Sequence, residues 1–147
     1  MNFIGIDPGV SGGIAVVSDT GTLLSVSKMP ETERDLYEHL GALSFFAGGL
    51  KATLEYVRAM PKMGAASMFQ FGRGYGAIRM ALVARDIPFD EATPLKWQNA
   101  MGCLTHGDKN ISKRRAQELF PGVKVTHANA DALLIAEYAR RLEVRVA

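Results

Sequence analysis

At 147 residues and 48% hydrophobic content, the chain is sized for one domain, residues 1–147, with a real core, and it has no apolar run long enough to cross a bilayer. Its lone cysteine, Cys103, excludes an intrachain disulfide, and its first residues open directly into a strand pattern with no signal peptide evident, so a reducing, cytoplasmic setting is expected. A formal net charge of +2 is too small to mark a nucleic-acid binder by itself, so the placement of the basic residues has to carry that question.

Asn2-Phe3-Ile4-Gly5-Ile6-Asp7 reads as a buried strand that ends in a carboxylate. Pro8 removes a ladder donor, and the glycines at 9, 12 and 13 permit a tight turn. Ile14-Ala15-Val16-Val17 returns as a second strand, and residues 22–29 read as a third after the turn at Asp19-Thr20-Gly21. Glu31-Thr32-Glu33 places acid at a helix start, Leu36, Leu40, Leu43 and Phe46 supply its apolar stripe, and Gly48-Gly49 stops it.

Residues 51–57 form a fourth strand pattern carrying Glu55, followed by a loop over 58–66 rich in Pro, Gly and Met. Ser67 is a candidate cap for a helix over 68–85. Gly72, Gly74 and Gly76 lie within that helix beside Phe69, Phe71 and Tyr75, a composition that points to close packing against another helix or backbone. A fifth strand over 87–92 precedes a helix started by Thr93-Pro94. Residues 105–110 are turn-like, residues 111–120 form a basic amphipathic helix stopped by Pro121-Gly122, and an Ala-rich helix from about Ala132 ends near Arg140 and Arg141, where cations suit the dipole. No repeat, linker or low-complexity segment interrupts the order.

Three acids occupy distinctive places: Asp7 in the first strand, Glu55 in the fourth, and Asp131 at the start of the last helix. If the first and fourth strands are neighbours, Asp7 and Glu55 face each other, and a helix packed across them brings in Asp131. Three clustered carboxylates repel unless a divalent cation sits between them. An all-oxygen donor set suits Mg²⁺ or Mn²⁺, and a two-ion site activates water for phosphodiester hydrolysis.

With those residues in hand, the chain resembles the RNase H-like superfamily, and more narrowly the RuvC-type Holliday junction resolvases, above all their phage-encoded members. The resemblance rests on Ile4-Gly5-Ile6-Asp7-Pro8-Gly9 with Ser11-Gly12-Gly13, on Leu54-Glu55, on the Met60-Pro61 loop with Ser67-Met68-Phe69, on Thr93-Pro94-Leu95-Lys96-Trp97-Gln98, and on Ala130-Asp131-Ala132-Leu133-Leu134-Ile135-Ala136. It runs through nearly the whole chain in order. It implies an α/β fold with a mixed five-stranded sheet, three antiparallel strands then parallel ones, with helices on both faces. It also implies a Mg²⁺-dependent endodeoxyribonuclease (Mn²⁺ as a substitute, two ions per site) that nicks four-way and other branched DNA as a homodimer, without a nucleotide cofactor, in a bacterial host cytoplasm if phage-encoded. The glycine- and aromatic-rich helix is the expected dimer surface.

Two departures from the family pattern stand out. A fourth metal-site residue is usual three or four positions before the last Asp; Ala128 stands three before and His127 four before, which makes His127 the candidate. It is open as a ligand, as a general acid or base, or as a residue that only helps begin the helix. Some members carry an aromatic wedge three residues after the fourth-strand Glu; here that position is Arg58, so the wedge falls to Tyr56, Met60 or Phe69.

Lys109, Lys113, Arg114 and Arg115, joined by Lys124, cluster before the third acid and are candidate phosphate contacts, as is Lys96; Arg58, Lys62 and Arg73 flank the loop after Glu55. A basic helix is more often a solvated face, and the neighbouring acids are what favour DNA here. Trp97 reads as core, His39 and His106 as surface, and Cys103 lacks partners for zinc. Two other classes remain in view: a non-catalytic DNA-binding relative, and an actin-like ATP-binding domain, for which the chain lacks room for a second lobe.

Overall fold

The computed structural model describes residues 1–146. The elements run β1 (Asn2–Asp7), β2 (Gly13–Ser18), β3 (Leu23–Lys28), α1 (Glu33–Leu43), β4 (Leu50–Glu55), α2 (Ala65–Ala84), β5 (Phe89–Ala92), α3 (Pro94–Met101), α4 (Lys109–Leu119) and α5 (Ala130–Val146). The sheet order is β3-β2-β1-β4-β5. β1 pairs antiparallel with β2 and β2 with β3, while β1–β4 and β4–β5 are parallel. This is the mixed five-stranded sheet that the sequence led us to expect.

Strand alternation divides the core between two faces. Ile4, Ile6, Ile14, Val16, Ala52 and Leu54 pack with Leu36, Leu40 and Leu43 of α1 and with Ile78 and Leu82 of α2. Phe3, Ala15 and Val17 pack instead with α3, α4 and α5 through Trp97, Ala116, Leu133 and Ile135. Gly5 sits on this second face. A Cβ there would lie 2.2 Å from Ala132 O and Ala136 N, so only glycine lets the α5 backbone lie directly on β1.

Local capping explains most boundaries. Thr32 caps α1 by accepting from Asp35 N, and Thr93 caps α3 by accepting from Lys96 N, with Pro94 in the first turn. Asp108 caps α4, which therefore begins at Lys109, ahead of the expected Ile111. α2 begins at Ala65 behind Gly64, so Ser67 is an interior helical residue and caps nothing. Phe46 packs against the α1/α2 core from beyond the end of α1. α5 continues past Arg140 and Arg141, because both guanidiniums are engaged by Glu137: Arg140 Nε donates to Oε2 at 2.7 Å and Arg141 Nε to Oε1 at 2.7 Å. They neutralise a buried acid where helix termination was expected. A Cβ at Gly72, Gly74 or Gly76 meets nothing within 4 Å, so the close packing expected there is not made among the described residues.

Candidate functional site

β1 and β4 run parallel with Ile6 opposite Leu54, so the next residues along, Asp7 and Glu55, end the two strands side by side. Leu54 and Ile6 point to the α1/α2 face. By alternation Asp7 and Glu55 point to the other face, the one α5 covers. Asp131 is the second residue of α5, and Gly5 holds that helix hard against β1. The start of β2 presses on the turn before α5, where a Cβ at Gly13 would lie 2.9 Å from Ala128 O. Three segments far apart in sequence thus deliver one carboxylate each to one end of the sheet.

The electrostatics show the proximity. Burial pushes the Asp7 carboxyl up from 3.8 to about 8, with the Glu55 and Asp131 charges adding to the shift. Glu55 rises to about 7, again chiefly through burial, against the hydrogen bond from Trp97 and with a further push from Asp131. Burial raises Asp131 too, opposed by the Ser112 hydroxyl and by the charges of Lys109 and His127. The contrast with Glu137 is informative. Burial alone would raise Glu137, yet the guanidiniums of Arg140 and Arg141 hold it below the usual carboxylate range. The chain neutralises that acid with its own cations, and among the described residues it forms no ion pair with Asp7, Glu55 or Asp131.

These groups fit a divalent cation. Asp131 Oδ1 is a buried oxygen without a hydrogen-bond partner, an arrangement that costs about 1–3 kcal/mol or more for a charged group unless something else satisfies it. The donors are hard oxygens, as Mg²⁺ and Mn²⁺ require. Among the described residues no group of three His, Cys, Asp or Glu side chains is closed around one point, so it is the chemistry of the donors and the unpartnered oxygen that speak for an ion.

His127 lies in the turn ahead of α5 and is exposed, whereas its spacing from Asp131 predicts a place on the same helix. It remains near enough for its charge to favour ionised Asp131. Lys109, read from the sequence as part of a basic cluster, stands apart from it: it is the first residue of α4, and its charge reaches all three acids. Of its companions, Arg114 is exposed and Lys113 half-buried. Arg115 is engaged within the chain, with Nε donating to Met101 O at 2.9 Å and a second bond to Glu118. Lys96, Lys62 and Lys124 are exposed. Arg58 is exposed, with its guanidinium 6.0 Å from the Tyr56 ring centre, and Arg73 pairs with Glu33 at 3.3 Å. Met60 and Phe69 expose their side chains, and Tyr56 is half-buried. His106 is exposed as expected, but His39 is half-buried and lies 3.2 Å from the Ser27 hydroxyl.

Two further participants give no signal in the sequence. Trp97 is core, as read, but its Nε1 donates to Glu55 Oε2 at 2.7 Å. Ser112 is buried beside Asp131 and also lies 3.2 Å from Lys109 O. A groove between the Gly9-Val10 turn, the start of α1 and α2 contains none of the three acids. No helix among the described residues is long and apolar enough to cross a membrane.

No protein-family model matches the chain, and no curated protein sequence matches it. Solved structures do. The chain is similar to Thermus thermophilus RuvC at a TM-score of 0.70 and 22% identity, over 99% of this chain and 97% of that one. It is similar to T. thermophilus RuvC in complex with Holliday junction substrate at a TM-score of 0.70 and 21% identity, over 98% and 96%. The fold is therefore that of RuvC, an RNase H-like fold, over nearly the whole chain.

Proposed function

We propose that the chain is a divalent-metal-dependent, structure-selective endonuclease that nicks four-way (Holliday) and other branched DNA by phosphodiester hydrolysis. The observation that carries this reading is the un-neutralised acid set, Asp7, Glu55 and Asp131, half-buried together at one end of a RuvC-like sheet with one buried Asp131 oxygen left without a partner. A structural acid cluster would be expected to recruit cations from the chain, as Glu137 does.

In this reading Asp7, Glu55 and Asp131 hold Mg²⁺, or Mn²⁺ in its place, two ions per site, with His127 as a fourth ligand. The ions supply Lewis-acid polarisation of the phosphodiester and activation of the attacking water. The chain's own groups do the rest. Asp7, Glu55 and Asp131, raised by burial in the absence of an ion, would be the groups that hold the metal and would ionise on doing so. Lys109, at the positive end of α4 and next to the acids, orients the scissile phosphate. Lys113, Arg114, Lys96, Arg58, Lys62 and Arg73 track the flanking backbone, which supplies affinity without sequence information. Exposed Met60 and Phe69 and the half-buried Tyr56 are the wedge candidates at the junction centre.

A four-way junction has two-fold character and needs paired nicks, which favours a homodimer with two sites. The exposed α2 stripe of Phe69, Gly72, Gly76, Met80 and Val83, with open space over its glycines, supports that helix as the dimer surface. The Holliday junction substrate in the T. thermophilus RuvC complex is carried over here as this chain's substrate class. The setting this implies is the cytoplasm of a bacterial cell.

The experiment is incubation with labelled four-way, forked and linear duplex DNA, with and without Mg²⁺. Nicks at the branch point are expected in Mg²⁺ only. Binding without cleavage under every ion condition would favour the second class, a non-catalytic DNA-binding protein that keeps the fold.

A further inference from the structure

We propose that Trp97 is a positioning residue for Glu55, holding Oε2 so that Oε1 is presented to the metal. The inference rests on the reading of Glu55 as a ligand. Trp97 is fully buried, in the core cluster that also holds Leu133 and Leu134 of α5, and its Nε1 donates to Glu55 Oε2 at 2.7 Å. The bond joins α3 to the end of β4, across 42 residues of sequence. α3 is itself fixed by the Thr93 cap and Pro94.

The choice of donor matters. An indole N–H carries one proton and accepts nothing, so it occupies one direction on one oxygen. It is also neutral. Arg140 and Arg141 neutralise Glu137 as they orient it, and a cation of that kind on Glu55 would compete with the metal. Trp97 fixes the carboxylate's rotation while leaving its full charge for the ion. A tryptophan locked by packing does this more rigidly than a flexible polar side chain.

The chain has one tryptophan, so a ¹⁵N-labelled sample gives a single indole N–H signal. The full-length protein is titrated with Mg²⁺, following that signal by NMR and binding by calorimetry, for wild type, Glu55→Gln and Trp97→Phe. We expect the indole signal to move saturably with the calorimetric midpoint, and Trp97→Phe to weaken Mg²⁺ affinity by about tenfold or more. Nicking by Trp97→Phe is then recovered by raising Mg²⁺, separating a positioning role from loss of fold. Should Trp97→Phe fail to fold, the wild-type indole titration decides alone. Measurable Mg²⁺ binding with a stationary indole signal, or with unchanged affinity in a folded Trp97→Phe, overturns the positioning role and leaves the metal site intact. Absence of Mg²⁺ binding in wild type, or binding undiminished in Glu55→Gln, overturns the metal site itself and the positioning role with it.

Discussion

Asp7 and Asp131 come within range of each other's charge from opposite ends of the chain, one ending β1 and one in the first turn of α5; burial first, then the charges of Glu55 and Asp131, hold the Asp7 proton on to about pH 8. Gly5 makes the approach possible by letting the α5 backbone lie directly on β1, where a Cβ would run into Ala132 O and Ala136 N.

That relationship sets a pH dependence for the metal-free protein. Asp7 has a folded pKa raised from 3.8 to about 8, and Glu55 from 4.5 to about 7. Across that window the folded chain keeps protons the unfolded chain has lost. The stability tied to them is full below about pH 4, falls progressively as pH rises, and is gone by about 7 to 8. Asp7→Asn removes the charge that has to be buried, so in a chelator it should raise the melting temperature at pH 9 more than at pH 6. The gain expected is on the order of 1–2 kcal/mol at the higher pH. An equal or lower melting temperature at pH 9 would mean that Asp7 is solvated or already paired.

The basic helix divides into separable roles. Lys113→Ala with Arg114→Ala should weaken binding to every DNA sequence alike and flatten the slope of log affinity against log salt by about one for each phosphate no longer neutralised. Arg115→Ala should act mainly on stability, because it frees the Met101 carbonyl that Arg115 now satisfies. An unchanged salt slope in the double variant would mean that this face of α4 meets solvent and not DNA.

His127 is tested by rescue. His127→Ala should cut Mg²⁺-dependent nicking at least about tenfold, equivalent to about 1.4 kcal/mol of barrier. His127→Asp should restore much of it if the imidazole is a ligand, since a carboxylate suits Mg²⁺ better than nitrogen does. An intact rate in a folded His127→Ala would leave His127 as part of the turn before α5 and nothing more.

Much of this site can be read from the sequence because it lies where local rules are strong. A strand broken by Pro8 right after Asp7, a strand carrying Glu55 and an Ala-rich helix opening on Asp131 are all local patterns, and the sheet follows from their order. What stayed hidden depends on packing between distant segments. The spacing from His127 to Asp131 suits one helical turn, but the Asn129 side chain accepts from Thr126 N and holds the chain in a turn until Ala130. Nothing near Trp97 in sequence announces its bond to Glu55. Arg115 looks as free as Arg114 until α3 packs beside it with an unsatisfied carbonyl. Asp108 starts α4 early and so brings Lys109 to the acids.

The α2 surface makes a prediction about assembly. Phe69 is 70% exposed and Met80 60%. Phe69→Glu with Met80→Glu should convert a dimer to a monomer in sedimentation analysis while leaving the melting temperature nearly unchanged. A wild-type monomer at micromolar concentration, or a double variant that still dimerises, would put the dimer surface elsewhere.

The most direct test of metal-dependent junction cleavage is a supercoiled plasmid bearing an extruded cruciform, incubated in Mg²⁺ with wild-type protein and with Asp7→Asn, alongside gel-shift measurement of four-way junction binding. Paired nicks across the cruciform give linear product; a single nick gives open circle. Linear product is expected from wild type, none from Asp7→Asn, and junction binding from both. Linear product from Asp7→Asn at the wild-type rate would contradict the assignment, because the carboxylate that ends β1 would then have no part in the reaction.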